Sequence, residues 1–168
     1  MMTSNKQQSE SAIEEVWITR TFNAPKEIVF KAWTDPVQLI KWYAPTGCEI
    51  SFTEINVAEG GSFHSCIIIP DGKKCWCKGI YKEVKFPELI VQTMSVADEE
   101  GNLISAVDAG MDPRWPDETI LTVTFEDTGD GKTLMTLHQT VNQALAKSTG
   151  AYPSWIIMFD RLDNLLKN

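Results

Sequence analysis

His64, Cys66, Cys75 and Cys77 lie close together in the sequence, on either side of Pro70-Asp71-Gly72. Thiolate and imidazole side chains are ligands that suit zinc. If Asp71-Gly72 forms a two-residue hairpin turn, Pro70 pairs with Lys73, Ile68 with Cys75 and Cys66 with Cys77. His64, Cys66, Cys75 and Cys77 then share one sheet face. Positions i and i+2 on a strand stand roughly 6.5–7 Å apart, from a rise near 3.3 Å per residue. The ligands of a tetrahedral zinc converge more closely than that. The sequence therefore favours structural thiols, with no metal assigned. In this register a Cys66–Cys77 cross-strand disulfide is the available oxidation product, and a strained one. Cys75-Trp76-Cys77 also lacks the Cys-x-x-Cys spacing of redox and zinc-knuckle sites.

Nucleophilic and acid–base chemistry finds little to work with. His138, the other histidine, alternates away from Met135 and Leu137, and His64 alternates away from Phe63. Both then face away from the apolar side of their strands. The chain has no Gly-x-Ser-x-Gly elbow, no His-Glu-x-x-His helix and no glycine loop of the phosphate-cradling kind. Gly60-Gly61 reads as a turn, and Glu126 and Asp127 as solvated acids at a strand end. No catalytic residue and no cofactor is assigned, and binding is favoured over enzymatic activity.

The apolar side chains offer more. Alternation places Leu121, Val123 and Phe125 on one face of a strand, and Met135 and Leu137 on one face of the next. Phe63 and Ile67 form a similar set earlier, and Trp155, Met158 and Phe159 oppose them from a helix. These residues, with Trp76 if the hairpin register allows, are the candidate lining of a cavity of the few-hundred-Å³ size typical of small-ligand sites. The competing reading is a filled core. Met111 and Trp115, with Arg114, sit in a long loop and are candidate lid residues. The acidic run Asp98-Glu99-Glu100 in the same loop suits a surface excursion instead. Trp33 and Trp42-Tyr43 read as wedges in the sheet's open end, and Arg20 as half of a structural ion pair.

These side chains must be held by an α+β arrangement. Trp17 to Phe22 mixes β-branched and aromatic residues and reads as a strand. Two short helices follow, one opened by Pro25 and the next by Thr34-Asp35-Pro36. Strand-like runs then cover Glu49 to Val57, Ser62 to Ile69, Lys74 to Lys85, Leu89 to Val96, Thr119 to Glu126 and Lys132 to Val141. Short turn-rich connections favour antiparallel hairpins. Pro153 to Lys167 carries Trp155, Met158, Phe159, Leu162, Leu165 and Leu166 at helical spacing, one wide apolar stripe suited to covering a sheet. Residues 1–12 read as a disordered tail, and 13–168 as a single domain.

Composition sets the outer limits. The chain has 168 residues, 43% of them hydrophobic and six of them Trp, enough for one domain with a sizeable core. Fifteen Lys and Arg against 23 Asp and Glu leave a net charge of −8. That argues against nucleic acid as a partner, because phosphates demand a basic footprint. No run is apolar for the roughly 18 residues that a membrane span needs, so no membrane insertion is expected. The polar N-terminus lacks the apolar centre of a secretory signal, which points to the cytoplasm and to reduced thiols.

TRTFNAPKEIVFKAWTDPVQLIKWYAP resembles the opening of the family related to the C-terminal domain of the activator of heat shock protein 90 ATPase. AEGGSF, PDGKKCWCKGIYKEVKFPELIVQT, LTVTFEDTGDGKTLMTL and the closing SWIIMFDRLDNLL extend the resemblance from about Trp17 to the end of the chain. The resemblance implies the helix-grip fold of the START-like, pollen-allergen-like superfamily (SRPBCC). In that fold a curved antiparallel sheet of about seven strands wraps a long C-terminal helix, with a hydrophobic cavity between them. It also implies a small hydrophobic ligand such as a lipid, sterol, polyketide or other aromatic compound. The alternatives are a stand-alone co-chaperone-like interaction domain with a chaperone partner, and an enzyme of cyclase or hydrolase type. An open sheet edge leaves room for a homodimer. The chain departs from the family pattern in the long segment between Val96 and Thr119, and at Pro153, where the helix must begin or kink beside Gly150.

Overall fold

The computed structural model describes residues 14–167, so the tail expected over residues 1–12 lies outside the described residues. Seven strands form one antiparallel sheet. They are β1 (Glu15–Phe22), β2 (Glu49–Ile55), β3 (Ser62–Ile68), β4 (Lys74–Lys85), β5 (Leu89–Val96), β6 (Glu118–Asp127) and β7 (Thr133–Asn142). Their order across the sheet is β1-β7-β6-β5-β4-β3-β2. Strands β2 to β7 are each paired with the next in sequence, as short connections dictate. β1 instead closes onto β7, with Ile18 opposite Leu137 and Arg20 opposite Met135.

Between β1 and β2 run α1 (Lys26–Thr34) and α2 (Pro36–Trp42). Pro25 stands at the N-cap of α1, where its missing N–H leaves no bond unmade. Asp35 caps α2 by accepting a hydrogen bond from the Val37 amide at 3.0 Å. After β7 the chain forms α3 (Gln143–Thr149), stops at Gly150 in the left-handed region (φ +89°), and starts α4 (Ala151–Lys167). Pro153 therefore lies in the first turn of α4 and neither kinks nor breaks it. The sequence pattern had not marked α3, whose one buried side chain is the small Ala146.

Helix α4 crosses the concave face of the sheet and buries Trp155, Met158, Phe159 and Leu162. Leu121, Val123, Phe125, Met135 and Leu137 meet it from the sheet and are at most 2% exposed. Aromatic rings lock the layers together: Trp33 lies 4.9 Å from Trp42 and 6.4 Å from Trp155 between ring centroids. The buried indole N–H groups are satisfied. Trp33 donates to Met135 Sδ at 3.2 Å, Trp42 to the Ala32 carbonyl at 3.0 Å, and Trp155 to Gln139 Oε1 at 3.0 Å. Arg20 pairs with Asp160 at 2.7 Å across the sheet–helix boundary, the structural role its surroundings suggest.

Candidate functional site

The hairpin between β3 and β4 decides which side chains reach the concave face. The Ile69 amide donates to the Lys73 carbonyl at 3.0 Å, and the Gly72 amide to the Ile69 carbonyl at 2.8 Å. Pro70-Asp71-Gly72 is thus a three-residue loop, with Gly72 in the left-handed region (φ +90°). That shifts the ladder by one residue from a two-residue turn on Asp71-Gly72. Cys66 stands opposite Trp76, Ile67 opposite Cys75, and Ser65 opposite Cys77. Residues directly opposed in an antiparallel pair share a face, so a one-residue slip exchanges the faces.

Two expectations are corrected by this. Cys66 lies on the opposite face from Cys75 and Cys77, so neither the four-residue cluster nor the Cys66–Cys77 juxtaposition forms. Trp76 turns to the convex face, where its ring stacks on His64 with centroids 4.9 Å apart, and it lines no part of the concave cleft. Around His64, a bulge between Phe52 and Glu54 brings Thr53 Oγ1 to 2.5 Å from Nδ1, while Nε2 meets the Asp98 carbonyl at 2.9 Å. His138 is also on the convex face, stacked on Trp17 at 4.1 Å and 2.7 Å from Glu15 Oε1. Both histidines thus serve packing, distant from the sheet–helix interior.

A cleft of about 460 Å³ opens at one end of the interlayer space. Its floor is the inward row Ile67, Ile69 and Cys75 of the β3–β4 hairpin. Pro45 and Cys48, ahead of β2, form one wall. The α3–α4 junction at Thr149, Gly150, Ala151 and Ser154, with Met158 a turn further along, forms another. Met111, Asp112 and Trp115 of the β5–β6 connection make the rim. This connection is ordered by its own hydrogen bonds, among them Met111 N–H to the Ala106 carbonyl at 2.8 Å and Ala106 N–H to Asp117 Oδ1 at 3.2 Å.

Of the residues singled out from sequence, Ile67, Met158, Met111 and Trp115 come together in this cleft. Phe63, Leu121, Val123, Phe125, Met135, Leu137, Trp155 and Phe159 are packed into the core instead, each no more than 5% exposed. The aromatic material thus mostly fills the interior, and the opening lies at its end. Cys75 was missed because it faces the cleft only in the three-residue register. Thr149 to Ser154 had one sequence signal, the Gly150 and Pro153 pair that interrupts the helical pattern.

Electrostatically the cleft is bland except at its rim. Arg114 donates twice to Asp112, from Nε at 3.0 Å and from a terminal nitrogen at 2.8 Å. These bonds hold the Asp112 carboxyl down at about 2. Behind the floor, Cys77 lies one inward-facing position beyond Cys75, and burial pushes its thiol up to about 12. Tyr43, at the end of α2, is pressed among Trp33, Trp42 and Trp155. Burial first, then the neighbouring Tyr81 and Cys77, raise its hydroxyl well above the ordinary tyrosine value. Both groups are therefore neutral and protonated. Among the described residues no three His, Cys, Asp or Glu side chains gather as metal ligands would. No helix among them is long and apolar enough to cross a membrane.

The sequence profile of the Activator of Hsp90 ATPase homolog 1-like protein family matches residues 23–167. The chain belongs to that family. Solved structures agree on the fold of this Activator of Hsp90 ATPase homolog 1-like chain. A protein from Arthrobacter aurescens, solved by NMR in solution, superposes with a TM-score of 0.77 at 21% identity, over 94% of this chain and 88% of that one. A crystal structure from Mycobacterium smegmatis gives 0.75 at 22% identity, over 92% and 91%. The AHSA1 protein of Silicibacter pomeroyi gives 0.73 at 16% identity, over 92% and 98%. At such identities the likeness establishes the shared helix-grip fold. No curated protein matches the chain.

Proposed function

We propose that the protein binds a small, mainly apolar molecule in the cleft between the β3–β4 hairpin, the start of α4 and the β5–β6 connection. The observation that carries this reading is a cleft of about 460 Å³ bordered by Ile67, Ile69, Met111, Trp115 and Met158. That is within the size range of small-molecule sites. The binding force is the removal of apolar surface from water, roughly 25 cal/mol per Å². The thioethers of Met111 and Met158 adapt their shape to irregular partners. Met111 is exposed at the rim and Trp115 half-buried beside it, which supports reading the pair as a cover for an occupant.

Native mass spectrometry of gently purified protein, followed by thermal-shift screening with lipids and aromatic compounds, tests this. A co-purifying small molecule, or a melting temperature raised by an apolar compound, is the expected result. No adduct and no shift with any compound would overturn it.

A further inference from the structure

We propose that the cleft is one chamber of a two-chamber site whose occupant is an amphipathic carboxylate, its apolar chain in the cleft and its anionic end past Met111, at Lys73 and Lys74. The inference rests on the reading of the cleft as a ligand site. It starts from a shared wall. A second hollow, of about 240 Å³, lies between the start of β4 and the base of the β5–β6 connection. Cys75 and Met111 border both this hollow and the cleft. The Met111 backbone is held by its bond to the Ala106 carbonyl, but its side chain is 41% exposed. An unbranched thioether with three rotatable bonds makes way easily for a chain passing from one chamber to the other.

The two chambers differ in charge. Among the described residues no Lys, Arg or His borders the cleft, and its one carboxylate, Asp112, is already paired with Arg114. An ionised group placed there would lose its water without gaining a counter-charge. The second hollow is bordered by Lys73 and Lys74. The lysines held in ion pairs are Lys26, Lys85 and Lys167, and among the described residues Lys73 and Lys74 are in none. Asp98 and Glu99 border the hollow too. The Asp98 carboxylate is engaged by Asn102, from the backbone amide at 2.8 Å and the side-chain amide at 3.1 Å. That leaves Glu99 to answer two ammonium groups, so an anion finds more free partners here than a cation does.

The strand geometry links the two ends. The Ile69 amide bonds to the Lys73 carbonyl, which sets Lys73 opposite a residue of the cleft floor. A chain lying along that floor therefore ends near the lysines. On its other side β4 is paired with β5 only as far as Cys77 and Val96. Beyond that pair the Ala97 amide reaches the Trp76 carbonyl at 3.3 Å. The N–H and C=O of one residue in an antiparallel strand point to the same side. The amides of Trp76 and Lys74 therefore point to this open edge, where they add donors to the two ammonium groups.

Four probes separate head from chain: decanoate, decanol, decylammonium and butyrate, measured by isothermal titration calorimetry against the natural protein and Lys73→Gln/Lys74→Gln. Decanoate should bind the natural protein about fivefold more tightly than decanol, the factor that a partly exposed ion pair gives at the upper end of its range. In the double variant that ratio should fall to about one while decanol affinity is retained. Both lysines are exposed, and the retained decanol affinity shows that the variant is folded. Decylammonium should bind more weakly than decanol, and butyrate, a head without a chain, should not bind. Equal binding of decanoate and decanol by the natural protein overturns the anionic end and leaves the cleft reading standing. So does a decanoate preference that survives the lysine substitutions, or tightest binding of decylammonium. Butyrate binding as tight as that of decanoate overturns the two-chamber site, because the lysines would then act without the cleft. Failure of all four probes to bind overturns both readings.

Discussion

Cys66 and Trp76 face each other across the β3–β4 ladder, and Trp76 stacks on His64 on the convex side of the sheet. This pairing fixes the orientation of the neighbouring thiols. Cys75 and Cys77 are turned to the concave side, Cys75 at the cleft and Cys77 behind it.

Thiol reactivity should follow this arrangement. Cys75 is exposed and Cys48 half-buried at the cleft. Burial raises the pKa of Cys66 and carries Cys77 up to about 12, so neither supplies thiolate at working pH. A chromogenic disulfide reagent at pH 8 should modify two thiols quickly and leave two until the protein unfolds. Mild oxidation followed by peptide mapping should yield no Cys66–Cys77 disulfide, because their side chains point to opposite faces. Rapid reaction of four thiols would contradict the register.

Filling the cleft should separate binding from folding. Ser154 lies in the first turn of α4 with its side chain at the cleft. Ser154→Trp should put an indole into that space and abolish the thermal shift given by an apolar compound. Circular dichroism should stay that of the folded protein. Retained binding in a folded Ser154→Trp protein would place the ligand elsewhere.

Core truncation should do the reverse. Leu121 is fully buried between the sheet and α4 and is no part of the cleft. Leu121→Ala removes its methyl groups and leaves a cavity, at a cost of about 2–5 kcal/mol. Denaturant titration should show that loss, while the folded fraction keeps its affinity for the same compound.

The rim carboxylate has a defined pH signature. Hydrogen bonds from Arg114 favour the ionised form of Asp112 and hold its pKa at about 2, below the ordinary 3.8. A depressed carboxyl pKa contributes stability above the unfolded value, and the contribution disappears as pH falls through about 2. Carbon-detected NMR of the Asp112 carboxyl should give that low midpoint, and Arg114→Ala should return it towards 3.8. A midpoint unchanged by Arg114→Ala would show that the pair does not set it.

Local pattern was enough for most of the architecture. Alternation in β6 and β7 put Leu121, Val123, Phe125, Met135 and Leu137 on the inner face, because strand periodicity is fixed by backbone geometry. The stripe from Trp155 to Leu162 marked α4 as the cover of that face for the same reason, and the family resemblance supplied the helix-grip fold. Tertiary structure decided what no local signal carries. The closure of β1 onto β7 joins the first strand to the last. The choice between a two-residue and a three-residue turn at Pro70-Asp71-Gly72 is a small local difference, yet it exchanges the faces of Cys75 and Trp76. Whether a buried aromatic fills space or borders it depends on how several elements meet. Phe159 and Leu137 close the interior, whereas Met158, one residue away from Phe159 on α4, reaches the opening. The unpaired hydroxyl of Tyr43 is of the same kind, since only the assembled neighbours show that nothing in the protein accepts its proton.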